Sequence, residues 1–120
     1  MTDARLQHIL DIIATLPEAE ATTRTGQHYA LEVRGKKFCY YTVDHHGDSR
    51  VAITYKAPRG ELDAALARDP IRHFKPPYMA QHGWVGLDLD AEPIDWDEVT
   101  DVLTTAYRMT APKTLAAQLG

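Results

Sequence analysis

The sequence predicts an α+β domain in which an antiparallel sheet, a three-stranded meander plus a further strand, packs against helices in the order α-β-β-β-α-β-α-α. Three observations predict it. Apolar residues recur at helical spacing near both ends of the chain, three β-rich segments between them are joined by connections short enough for hairpins, and 120 residues fit one domain.

Leu6, Ile9, Leu10, Ile13 and Leu16 mark a first helix over residues 2–16, and Pro17, which has no amide proton to donate, ends it. Residues 18–25 are polar and Thr-rich and close on Gly26, so they read as a connecting loop. Strands are expected at residues 28–33, 37–43 and 50–56, each enriched in β-branched or aromatic side chains. The turns between them are Arg34-Gly35-Lys36 and Asp44-His45-His46-Gly47-Asp48. The chain contains no Asn, so neither turn uses the common Asn-Gly pair.

Residues 58–68 predict a short helix with Leu62, Ala65 and Leu66 inward, ended by Pro70. Pro76 and Pro77, set among Phe74, Tyr78 and Met79, make residues 72–82 a rigid loop packed on the body. Residues 84–89 form the fourth strand, with Val85, Leu87 and Leu89 on one face and Asp88 and Asp90 on the other. The third helix has the strongest local signal. Asp95 and Glu98 stand at capping-box spacing, Ile94 and Val99 can form a hydrophobic staple, and the inward stripe is Val99, Val102, Leu103, Ala106 and Tyr107. A final short helix begins near Pro112 and carries Leu115 and Leu119.

The chemistry this sequence excludes is clearer than the chemistry it declares. The only cysteine, Cys39, cannot form an intramolecular disulfide and suits a reducing compartment. With no secretory signal at the start and no apolar run approaching the roughly 18 residues of a membrane span, a cytoplasmic protein with no membrane partner is expected. Cys39 lies inside a strand and reads as a packed thiol. Ser49 is the only serine and lacks a Gly-x-Ser-x-Gly setting, which argues against a serine hydrolase. The turn at residues 44–48 offers four potential metal ligands, but no second ligand pair follows at metal-site spacing. Asp88 and Asp90, about 7 Å apart on one strand face, resemble an acid/base pair, although alternating Asp and Leu is also what a half-exposed strand looks like. The expectation is no catalytic residue, no metal and no cofactor.

Charge is unevenly distributed. The net charge is -4, yet residues 88–101 hold seven acids and no base, while residues 24–75 sum to +4. Arg34, Lys36 and Lys37 crowd one hairpin tip, and Lys56, Arg59, Arg68, Arg72 and Lys75 flank the short helix and the Pro-rich loop. A basic hairpin of this kind is a wing that can lie along a phosphate backbone.

The order of several fragments resembles the MmcQ/YjbR family: Leu16-Pro17-Glu18-Ala19-Glu20, then Arg34-Gly35-Lys36-Lys37-Phe38, then Pro77-Tyr78 ahead of Gly83-Trp84-Val85, then Ala106-Tyr107-Arg108 in the third helix. The resemblance implies a frataxin-like α+β fold and DNA binding through a double wing of hairpins, with no catalytic activity or cofactor. Two positions depart from the family's usual pattern. Ala106 stands where Ser often precedes the Tyr, and Ala80-Gln81-His82-Gly83 replaces an approach to the Trp that often holds a basic residue and Asn.

The leading expectation is therefore weak, salt-sensitive DNA binding through Arg34, Lys36, Lys37, Lys56, Arg59, Arg72 and Lys75, by a monomer or homodimer. The alternative is a small-molecule or protein-interaction module built on an aromatic pocket around Tyr78 and Trp84, with Met79 and Trp96 adding to the aromatic and sulfur supply. A third reading treats the acids of residues 88–101 as a metal-binding ridge, although helix capping already accounts for Asp95 and Glu98.

Overall fold

A computed structural model describes residues 4–43, 50–90 and 93–119. The chain runs α1 (Ala4–Ile13), β1 (Ala19–Thr22), β2 (Tyr29–Val33), β3 (Lys36–Val43), β4 (Val51–Tyr55), α2 (Glu61–Arg68), β5 (His73–Phe74), β6 (Val85–Asp88), α3 (Trp96–Thr110) and α4 (Lys113–Ala116), with short 3-10 turns at Ala80–His82 and Ala117–Leu119. The expected helices are all present, and two strands are added. All pairings in the six-stranded sheet are antiparallel, in the order β1-β2-β3-β4-β6-β5.

Both added strands lie at the edges of the sheet. β1 occupies part of the segment that reads as a loop, because Ala-Glu-Ala-Thr has no large apolar side chain and only β2 to pair with. β5 is two residues long and followed by prolines, too short for a periodic signal.

The register sorts the sheet's side chains onto two faces. Leu31 lies opposite Cys39, Cys39 opposite Tyr55 and Tyr55 opposite Val85; a second row joins Tyr41, Ile53, Leu87 and His73. These residues are buried with Leu6, Ile9 and Ile13 of α1 and Val99, Leu103, Ala106 and Tyr107 of α3, so this face meets the helices. The rows between them, Ala30-Tyr40-Thr54-Gly86-Phe74 and Thr42-Ala52-Asp88, point the other way.

A register shift between Leu31 and Glu32 leaves Phe38 without a partner on β2, and this bulge turns the adjacent Phe38 and Cys39 both into the core. The Phe38 carbonyl accepts the Lys56 amide at 3.0 Å instead. All five residues of β4 are buried, since it lies inside the sheet and the segment around residues 76–79 covers part of its second face. α3 starts as its cap predicts: the Asp95 side chain accepts the Glu98 amide at 3.1 Å. α2 buries Ala65, with Leu62 and Leu66 half-buried at its margin.

Candidate nucleic-acid interface

Three of the four fragments that carry the family resemblance meet in one place. The two-residue turn Arg34-Gly35 has φ of 51° and 78°, both positive, as the tight hairpin connecting β2 to β3 requires. The Arg34 guanidinium reaches back to Glu18, donating from Nε to Oε1 at 2.6 Å and from Nη2 to Oε2 at 2.9 Å. That hydrogen-bonded pairing holds the Glu18 carboxyl below its ordinary range. Beside it the Tyr107 hydroxyl donates to the Pro17 carbonyl at 2.7 Å, and the Tyr107 ring meets Phe38 edge-on with centroids 5.9 Å apart. The Leu-Pro-Glu turn, the Arg-Gly-Lys-Lys-Phe hairpin and the helix tyrosine are thus one structural joint.

This joint separates the sequence-predicted basic residues. Arg34 is committed to Glu18. Lys36 is exposed beyond it with no acidic partner among the described residues, and Lys37 lies 3.7 Å from Glu32 across the hairpin. Because β3 begins, β4 ends and β5 ends at the same edge of the sheet, Lys36, Lys37, Lys56 and Lys75 all fall at one end of it. Lys56 borders a groove on the helix side, shared with Glu61 and Asp101, and Arg59 is exposed in the turn before α2. Arg72 falls at the opposite end of β5, 3.8 Å from Asp69, with its carbonyl accepting the Asp88 amide.

The sheet face turned away from the helices is recessed beside the segment at residues 74–79. A cleft of about 380 Å³ is floored by Tyr40, Thr42, Ala52 and Thr54 and walled by His28, Arg50, Phe74, Pro76, Pro77, Tyr78 and Met79. A second hollow of about 380 Å³ adjoins it across His28, Tyr40 and Thr42 and takes in Arg24 and Lys37. Trp84 closes against Tyr40 at 5.8 Å, and the Arg50 guanidinium stacks 4.1 Å over the Phe74 ring. Phe74 lies so close across Gly86 that a Cβ there would sit 2.4 Å from its ring. The Val43 amide donates to His28 Nδ1 at 3.1 Å, which leaves Nε2 as the protonated nitrogen of the neutral ring. Tyr78 is 81% exposed and held at φ 66°, a conformation uncommon for a bulky residue.

Arg24, His28, Tyr40 and Arg50 were not among the sequence-predicted site residues. Tyr40 and His28 could have been found by extending the period-two alternation of the strands to their uncovered face. Trp96 is elsewhere, stacked on His8 at 3.8 Å.

The remaining candidates have structural tasks. Burial pushes the Cys39 thiol up, and the side chain is fully enclosed. Asp88 and Asp90 do not form the expected strand-face pair: β6 ends at Asp88, whose carboxylate accepts the Asp90 amide at 2.7 Å. Asp90 instead accepts from Arg5 at 2.9 Å and from the Val51 amide at 3.0 Å, tying α1 to β4. Burial, with Glu98 and Glu61 nearby, pushes Tyr55 up. Among the described residues, no group of three or more His, Cys, Asp and Glu side chains could hold a metal ion. The turn at residues 44–48 and Ser49 lie outside the described residues. No described helix is long and apolar enough to cross a membrane.

A helix layer on one face of a six-stranded antiparallel sheet defines a small α+β domain. The family model for YjbR matches residues 14–109, and the chain belongs to the YjbR family. Among solved structures it is similar to protein DR2400 of Deinococcus radiodurans, described as carrying a DUF419 domain, at 14% identity with a TM-score of 0.73 over 96% of this chain and 87% of the other. No curated protein matches it.

Proposed function

We propose that this chain is a non-enzymatic, cytoplasmic DNA-binding protein that holds phosphates at the lysine-bearing end of its sheet and along the open sheet face. The observation that carries the reading is that Lys36, Lys37 and Lys75 all fall at one end of the sheet, with Arg24 and Lys37 beside the uncovered hollow. Three strand spacings separate β3 from β5, about 14 Å, which is the axial length of roughly four nucleotides of one strand.

The net charge of -4 is compatible with this because much of the acidic segment lies elsewhere: Asp97, Glu98 and Asp101 belong to α3, behind the sheet. On the front, Arg24, Lys37 and Arg50 share the face with Glu32, 3.7 Å from Lys37, and Asp88, 3.9 Å from Arg50, so Arg24 and the exposed Lys36 at the sheet's end carry the phosphate reading there. Arg34 serves the site by fixing the hairpin that carries Lys36 and Lys37. Lys36→Glu combined with Lys37→Glu should abolish binding of a labelled DNA, whereas Lys113→Glu on α4 should leave it intact. Unchanged affinity in the double variant would contradict the reading.

A small-molecule module is the second reading, favoured by the volume of the cleft. It predicts that the double charge reversal leaves ligand binding untouched.

A further inference from the structure

Resting on the DNA-binding reading, we infer that the cleft beside Tyr40 and Tyr78 takes unpaired nucleobases, so that the preferred ligand is single-stranded DNA.

Two properties of the open face point to this. The first is shape. The cleft is a recess of about 380 Å³ between the sheet floor and the wall at residues 74–79. A base inside a duplex is stacked and paired, and reaches a recessed surface only when it is extruded at a cost. A base on an unpaired strand has already been released. The second is the pairing of flat rings with cations. Tyr40 lies on the floor with Trp84 packed beside it, and Tyr78 stands at the rim, 81% exposed. Lys37 and Arg24 border the adjoining hollow, and Lys75 immediately precedes the Pro76-Pro77 wall. Aromatic platforms alternating with cations are what an unpaired strand offers partners for, since every base has a π-face and every step a phosphate.

The restraint on Tyr78 fits the same use. Its backbone is held at φ 66°, uncommon for a bulky residue, and this turn places the ring at the rim of the cleft, 81% exposed. Phe74 is less available, because its ring already lies between Gly86 and Arg50. Thr42, Thr54 and His28 add hydrogen-bonding groups around the floor that can meet base edges without selecting one base by a fixed bidentate pattern.

The test compares a labelled twenty-four-nucleotide oligo(dT) with a blunt, GC-rich duplex of the same length, which stays paired at 50 mM salt, for the wild type and Tyr78→Ala. Tyr78 is exposed, so the substitution leaves the core intact. The expected result is at least tenfold tighter binding of the single strand. Tyr78→Ala should weaken that binding by about tenfold, the effect of losing one stacked base, while changing duplex binding less than twofold. Duplex binding as tight as single-strand binding, or a single-strand affinity indifferent to Tyr78→Ala, would overturn this inference and leave the phosphate-binding reading standing. Failure of both DNA forms to bind would overturn the phosphate-binding reading itself.

Discussion

The Arg34 guanidinium grips both carboxylate oxygens of Glu18, at 2.6 and 2.9 Å, across 16 residues of sequence. Both residues have positive φ, so the pair locks two strained turns against each other. It converts what reads in the sequence as a basic wing tip into a brace, with Lys36 exposed beyond it.

Removing the brace should therefore affect stability before binding. Arg34→Gln should lower the melting temperature yet weaken DNA binding no more than about twofold, far less than charge reversal at Lys36 and Lys37. Loss of binding in Arg34→Gln at a temperature where the variant is fully folded would place Arg34 among the ligand contacts.

The same pair sets a pH dependence. Glu18 titrates lower in the folded protein than its ordinary value of 4.5, chiefly through the Arg34 hydrogen bonds. A lowered carboxyl contributes stability above its unfolded value and loses it as pH falls through the folded one. The difference in melting temperature between wild type and Arg34→Gln should thus be constant from pH 6 to 8 and shrink as pH falls below about 4.5. Both groups are exposed, so salt should reduce the difference as well.

Tyr107→Phe tests the other half of the joint. The hydroxyl donates to the Pro17 carbonyl at 2.7 Å from a ring that is otherwise fully buried. Urea denaturation should report a loss of about 1 kcal/mol, with the slope of the transition unchanged.

Gly86→Ala addresses the open face. A methyl group at this position would collide with the Phe74 ring, which must swing away and release its stack with Arg50. Denaturation should show about 1–3 kcal/mol of destabilisation, the usual cost of overpacking, and single-strand affinity should fall with it.

Cys39 should be inert. Its side chain is completely buried and burial raises its pKa, so a thiol-exchange reagent should label the unfolded protein and leave the native one unmodified.

The helices and inner strands were legible because burial imposes a period. Leu6, Ile9 and Ile13, or Val99, Leu103 and Tyr107, repeat at helical spacing on one buried face, and the Asp95 cap is a local signal that needs no tertiary partner. β1 was not legible, because an edge strand of small and polar residues is defined by its pairing with β2 and not by its own side chains. The site was legible in part. Charge composition singled out the hairpin's basic residues together, but it could not show that Arg34 has its own carboxylate 16 residues away or that Arg72 lies 3.8 Å from Asp69 at the far end of the sheet. Nor could it reveal which sheet face lacks helices, the fact that brings Tyr40 and Arg50 around one cleft with Tyr78 and sets Arg24 in the hollow beside it.

The salt dependence of DNA affinity tests the central claim most directly. Between 50 and 200 mM salt, about four phosphate contacts predict that log K falls against log salt with a slope near -3.6 on a duplex and near -2.8 on a single strand. Absence of binding at 50 mM with tens of micromolar protein, or an affinity that does not change with salt, would contradict it.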